Sequence, residues 1–344
     1  MSDAGDRCSD LSACLERGLA ELGCAGALCA VERGGGVTTF SAGTVTAVEH
    51  DRPFYVYSIT KSFTAAAVLR LGELEGCLLD RAVVSLLPAA KIPRDVMVRQ
   101  LLNHTAGLSD YFSRQDYRDA VNVQPESPWP RERLMSIGLE KTPLFAPGAG
   151  WAYSNPGYGL LLDLIEKVSG ENFDACIDRL ILKPAGLTAT RGFLAPDTEG
   201  LLLPGEAPGM DGDFRARYHP GWIATGCLIS TVRDVVRFYA VLFSGEIVSA
   251  ASLHAMTRVV DVPFPMPAPV VAAYGLGLMH FRHDPIGASF GHGGGGPGYT
   301  TLARHYPQLN GGPLTLSLVL NKSLPQTPFA LADALVRAVL AGEG

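Results

Sequence analysis

Apolar residues first recur along the chain with a helical period. Residues 9–23 carry one apolar stripe and end on Gly23, which predicts an amphipathic helix. Residues 25–32 and 37–42 read as two strands around the turn Arg33-Gly34-Gly35-Gly36. Helical spacing returns over 58–74, with strong helix formers at Ala65, Ala66, Ala67 and Leu69, and closes near Gly76. A short helix over 96–102 leads into the loop His104-Thr105-Ala106-Gly107. Residues 110–129 are polar, aromatic and proline-punctuated, so they read as a surface loop with short helices. An amphipathic helix over 158–168 stops at Gly170. Residues 193–221, broken by Pro196, Pro204, Pro208 and Pro220, read as loop, and 231–243 as helix. Strand patterning reappears at 274–281, 298–306 and 314–320, with Asn310-Gly311-Gly312 as the hairpin turn between the last two. Residues 329–340 close the chain as a helix.

A helix and two strands thus come first, a long helical stretch fills the middle, and three strands and a helix end the chain. Strands joined by hairpins imply an antiparallel sheet. A doubly wound parallel sheet would need strands alternating with helices throughout, and that alternation is missing. The fold class read from this order is α+β. No repeat of fixed period is present.

Composition narrows the functional classes. The 344 residues, 47% hydrophobic and 18% charged, allow a large core in one or two closely packed domains. Net charge is −6, with Lys and Arg scattered, which argues against a nucleic-acid partner. The start, with Asp3, Asp6 and Asp10, lacks the basic and apolar regions of a secretory signal. The uncharged run 262–279 is long enough to suggest a membrane span. Pro263, Pro265, Pro267 and Pro269 forbid a helix there, so an extended connector is expected, although its apolar side chains also suit an acyl pocket or a dimer patch. Seven cysteines at irregular spacing read as free thiols in a reducing compartment, so a cytoplasmic location is expected.

Three segments carry candidate chemistry. Ser58-Ile59-Thr60-Lys61 places an amine three residues after a hydroxyl, on one face of a helix. A serine is a weak nucleophile until a neighbour takes its proton, and a neutral lysine on that face is able to do so. Tyr153-Ser154-Asn155 lies in a turn-forming segment before a helix; a phenol there suits acid–base work and an amide suits orienting a carbonyl. His292-Gly293-Gly294-Gly295-Gly296-Pro297-Gly298 presents backbone without side-chain obstruction, so its N–H groups are open to a ligand. Taken singly, each has an ordinary structural reading: an N-capping serine with a solvated lysine, a buried loop tyrosine, a glycine turn.

Together, and in this order, Ser58-x-x-Lys61, Tyr153-x-Asn155 and His292-Gly293-Gly294 resemble the three signature elements of the class C β-lactamase-like serine hydrolases. That family includes DD-peptidases, D-aminopeptidases, esterases and acyltransferases. Leu101-Leu102-Asn103-His104-Thr105-Ala106-Gly107-Leu108, Gly226 to Asp234 and Tyr274-Gly275-Leu276-Gly277 share the resemblance, which spans about residues 25 to 340. It implies an antiparallel sheet flanked by helices (1–60 with 225–344), a mostly helical inserted domain (61–224), and an active site in the cleft between them. It further implies Ser58 as nucleophile, Lys61 and Tyr153 sharing the proton traffic, and an oxyanion hole from the Ser58 and Gly295 backbone beside Gly294. Asn155 would orient the substrate, and His292 would be a titratable cation. No metal or cofactor is implied. Tyrosine and lysine both titrate near ~10 in water, so one must be shifted; the positive charge beside Tyr153 is expected to lower the phenol.

Gly293 stands where β-lactamases of this kind place a hydroxyl, and His292 where many relatives have lysine. These departures argue against β-lactamase or DD-peptidase activity. The expected partner is a small-molecule ester or amide, hydrolysed by an intracellular esterase or amidase. Transfer of the acyl group to an amine or alcohol is the alternative, and a non-catalytic binding protein is a third reading that intact motifs disfavour. Two decoys are present. Gly287-Ala288-Ser289-Phe290-Gly291 fits a Gly-x-Ser-x-Gly elbow, but the glycine-rich, proline-broken run after Ser289 cannot be the helix that elbow requires. His280-x-x-His283-Asp284 lacks a further ligand cluster for a metal.

Overall fold

A computed structural model describes residues 11–139, 142–264, 266 and 268–342. The acidic start and Pro265 and Pro267 lie outside them. Among the described residues the strands are β1 (Gly26–Arg33), β2 (Gly36–Gly43), β3 (Phe54–Tyr55), β4 (Arg191–Gly192), β5 (Leu228–Ser230), β6 (Val260–Asp261), β7 (Val271–Tyr274), β8 (Met279–Arg282), β9 (Ser289–Gly296), β10 (Tyr299–Tyr306) and β11 (Leu314–Leu320). The main sheet runs β2-β1-β11-β10-β9-β8-β7-β6, with antiparallel neighbours throughout, as the hairpin signals imply. The first turn closes Arg33 onto Gly36.

Strand alternation distributes the core. From β1, Leu28 and Ala30 face one side, while Ala27, Cys29 and Val31 face the other with Leu316, Leu318 and Leu320 of β11. The second face is covered by helices Leu11–Leu22 and Phe329–Ala341. The first carries helix Thr60–Glu75, whose residues from Thr60 to Leu69 are all buried. A helix buried on every side over this stretch belongs inside a larger core. Helices Asn155–Ser169 and Val232–Phe243 enclose it, and Phe63 stacks on Phe238 with centroids 3.7 Å apart.

Several expected elements are redrawn. The strand at 274–281 is two, because Gly275 to Leu278 turn the chain into the β7–β8 hairpin. The glycine run is a full strand, β9, its missing side chains replaced by neighbours that press against its face. The surface loop at 110–129 is partly interior: Tyr111, Tyr117 and Val121 are buried, and the Tyr117 hydroxyl donates to the Trp222 carbonyl at 3.0 Å. Helices Arg131–Leu139, Phe173–Ile177 and Ala250–Thr257, and the small sheet β3-β5-β4, have no strong local signal. The six described cysteines are free; five are buried and Cys77 is exposed. No helix among the described residues is long and apolar enough to cross a membrane.

Both decoys are structural. Ser289 is fully buried at the start of β9, where its hydroxyl accepts from Arg304 Nε at 3.1 Å and Nη2 at 2.8 Å. Arg304 also pairs with Asp284 at 2.7 Å and with Asp333 of the last helix. His280 meets the Ser289 carbonyl and stacks on Phe290, so it and Asp284 are engaged apart from each other. Arg304 and Asp284 are 2% and 5% exposed, so removing the cation strands a buried carboxylate. Arg304→Leu should therefore lower the unfolding free energy by about 3–5 kcal/mol in urea titration. Asp333→Asn should cost less, because Asp333 is 34% exposed.

Candidate active site

Helix Thr60–Glu75 is preceded by a single tight turn, Tyr57–Ile59, so Ser58 stands at the threshold of the helix rather than within it. Tyr57 has φ 49, a left-handed conformation unfavourable for a tyrosine. Two contacts hold it: its hydroxyl donates to the Pro297 carbonyl, and its ring lies against Gly296. A Cβ on Gly294 would strike the Val56 carbonyl, and one on Gly296 the Tyr57 ring; at Gly295 no atom lies within 4 Å. Gly294 and Gly296 thus let β9 approach the turn Tyr57–Ile59, whereas Gly295 leaves open space. β8 pairs only with Ser289, Phe290 and Gly291, so the edge of β9 from His292 onward that faces away from β10 has no strand partner and lines a cleft of about 500 Å³.

Helix Asn155–Ser169 starts three residues earlier than its apolar pattern, with Ser154 as N-cap accepting the Gly157 N–H at 3.2 Å and Pro156 in its first turn. This packs Asn155 and Tyr153 against Lys61. The Lys61 amine lies 3.1 Å from Ser58 Oγ and donates to Asn155 Oδ1 at 2.8 Å. It sits 5.0 Å from the Tyr153 ring centroid and 5.3 Å from that of Tyr158. Only 3% of Lys61 is exposed, which excludes a solvated helix lysine. Burial lowers its pKa to about 8, against the opposing pull of Asp110. Tyr153 lines the same cleft as Ser58, which also meets Thr327, whose hydroxyl stands 3.5 Å from where a Gly293 side chain would begin.

Three expected roles change. Burial raises the Tyr153 phenol well above its ordinary range, with the Asp110 charge adding to it, so the lowered phenol is not found, and Lys61 is the group brought toward neutrality. His292 is not a cation. Burial and the nearby Lys61 lower it to about 3. Its Nδ1 lies 2.6 Å from the Gly293 carbonyl, which only accepts, so Nδ1 carries the proton and Nε2 accepts from Tyr274 Oη at 2.8 Å. Asn155 turns its amide inward, its Nδ2 donating to both Asp110 oxygens at 3.2 Å. The described residues of the 262–269 run do not line the cleft.

Sequence reasoning missed three residues here. Asp110 lines the cleft behind Asn155. His104 stacks under Tyr153 (centroids 4.3 Å apart) and accepts the Ser154 N–H at 3.2 Å, which fixes the tyrosine turn. Tyr274 donates to Nε2 of His292, whose tautomer the Gly293 carbonyl sets. For His104 the signal was its loop motif; for Asp110, one carboxylate in a polar loop, there was none.

A family model described as Beta-lactamase matches residues 11–341. Penicillin-binding protein 4* of Bacillus subtilis (strain 168) is 30% identical over 275 residues, covering 74% of this chain and 58% of that protein. A D-aminopeptidase of Brucella anthropi is 30% identical over 190 residues, covering 53% of this chain and 34% of its own length. The chain thus spans only part of the length of these curated relatives, 58% of one and 34% of the other. A solved D-stereospecific amidohydrolase from Streptomyces sp. is 29% identical with a TM-score of 0.83, covering 96% of this chain and 98% of its own.

Two outcomes are expected. The rate at which a fluorophosphonate labels Ser58, followed by intact mass, should rise with pH and level off above about 8, as Lys61 loses its proton. A limb between pH 5 and 7 would instead assign the base to a histidine. Gly296→Ala should cost about 1–3 kcal/mol in denaturant titration, by overpacking against Tyr57, whereas Gly295→Ala should leave stability unchanged.

Proposed function

The chain belongs to the Beta-lactamase family, and from that membership we propose that it is a serine hydrolase cleaving a small amide or ester through an acyl-enzyme on Ser58. The observation that carries this reading is the buried Lys61 amine 3.1 Å from Ser58 Oγ, with a pKa near 8. At pH 7 about a tenth of Lys61 is neutral. Its N–H to Asn155 then aims the lone pair at Ser58. Lys61 takes the Ser58 proton as Oγ attacks the carbonyl carbon. The Ser58 and Gly295 N–H groups stabilise the oxyanion, each at a typical ~3 kcal/mol. Tyr153 protonates the leaving group and takes back the proton held by Lys61. Water then replaces the leaving group and the sequence runs in reverse. His292, being neutral, shapes the cleft wall without fixing a charge on substrate.

The cleft supports a substrate with an apolar or aromatic group, because Tyr111, Phe112, Tyr117 and Tyr218 line it. With neutral His292 and Gly293 at the β9 edge, no fixed cation is present there to hold a carboxylate, which disfavours penicillin-like substrates. The names D-aminopeptidase and D-stereospecific amidohydrolase favour amides of D-configured amino acids.

Intact mass after mixing with an activated ester should show an acyl adduct on the Ser58 peptide of the wild type and none on Ser58→Ala; an adduct on that variant would mean another nucleophile. Tyr153→Phe should lower turnover by ~10² or more. Chelators should leave turnover unchanged. Amide panels should show faster release from D- than from L-aromatic amino-acid amides, with added amine diverting little of the acyl group.

A further inference from the structure

The side-chain chain that begins at Ser58 does not end at Asn155. Lys61 Nζ donates to Asn155 Oδ1 at 2.8 Å, and Asn155 donates from Nδ2 to Asp110 Oδ1 and Oδ2 at 3.2 Å and from its backbone N–H to Oδ1 at 3.3 Å. An asparagine amide has two nearly isosteric ends, one that donates and one that accepts. An ionised carboxylate only accepts. A carboxylate at position 110 therefore forces the NH₂ end of Asn155 toward itself and the oxygen toward Lys61.

We propose that Asp110 is a positioning residue of the Ser58–Lys61 pair: through Asn155 it fixes the direction of the Lys61 lone pair, and through its charge it governs how readily Lys61 gives up its proton. This inference rests on the reading of Ser58 and Lys61 as nucleophile and base. Lys61 is packed by groups from every side: Tyr153 and Tyr158 from the segment around helix Asn155–Ser169, His104 from its loop, His292 from β9, Cys227 from the start of β5, and Asp110. Among these, burial lowers both histidines and raises both tyrosines and the cysteine, so all five are neutral at pH 7. Asp110 is the carboxylate of the set, partly buried, and it accepts N–H groups from Phe112 and Asn155. Its charge stabilises the ammonium form of Lys61 and opposes the desolvation that destabilises it. Asp110 therefore acts in two ways that mutation reaches: loss of the charge makes Lys61 easier to deprotonate, and an acceptor replaced by a group that also donates no longer fixes which end of Asn155 faces Lys61.

The test monitors fluorophosphonate labelling of Ser58 by intact mass, from pH 5 to 10, in wild type, Asp110→Asn, Asp110→Ser and Asp110→Glu, each checked by circular dichroism. In the two neutral variants the rising limb should move toward acid by roughly one pH unit, while the plateau rate falls about tenfold or more. Asp110→Glu, which keeps charge and acceptor, should keep the limb at its wild-type pH and recover part of the plateau. Either neutral variant suffices if the other does not fold. A lower plateau with an unmoved limb would make Asp110 a packing residue and overturn the inference. So would an unmoved limb together with a KM increase confined to ammonium-bearing substrates, which would assign the carboxylate to substrate. In both of those outcomes the wild type still labels at Ser58 and the hydrolase reading stands; a wild type that does not label at Ser58 removes both.

Discussion

An ammonium group withdrawn from water loses several kcal/mol of hydration unless other groups replace it. Lys61, 3% exposed and on an apolar helix, is placed under that constraint, and its surroundings reflect it. One amide oxygen, one hydroxyl and two aromatic faces replace its hydration shell incompletely. The shortfall appears as a pKa near 8 in place of the usual ~10. Apart from the Asp110 carboxylate, the residues around it are consequently neutral: a second ammonium or an imidazolium would raise the cost, and burial keeps His104 and His292 uncharged. A histidine in place of a lysine on β9 thus suits a site that already holds one poorly solvated cation.

The geometry at Ser58 depends on a second constraint, steric and not electrostatic. The turn Tyr57–Ile59 carries a tyrosine in a left-handed conformation, secured only because β9 offers bare backbone to its ring. Helix and strand meet at a distance that side chains at 294 and 296 would forbid. The glycines are therefore divided in purpose: two allow the approach, and Gly295 keeps the cleft open above it.

Much of this was legible in the sequence, and the part that was not has a physical reason. β1, β10 and β11 are plain because both faces of the sheet are buried along them, and the helix over 329–340 has a clear apolar stripe. The three motifs of the site were found as strings, and their convergence is a property of the folded chain. The strand character of 289–296 was hidden, because glycines carry no β propensity and their packing is supplied by Tyr57 and Thr301 from elsewhere. The electrostatic state of Tyr153 and His292 was misread because composition near a residue reports charge but not burial. Asp110 was invisible because its partner, Asn155, lies forty-five residues away.

The unpaired rim of β9 has a further consequence for the molecule as a colloid. A strand edge with free donors and acceptors invites pairing with another chain. Here that edge opens onto a cleft that Asp110, Tyr153 and Thr327 also line. The sheet's outer rims are β6, only two residues long, and β2, whose exposed stretch is Gly36, Val37 and Thr38. What the described chain offers to other strands is thus limited to these short rims and to the one edge that opens on the cleft.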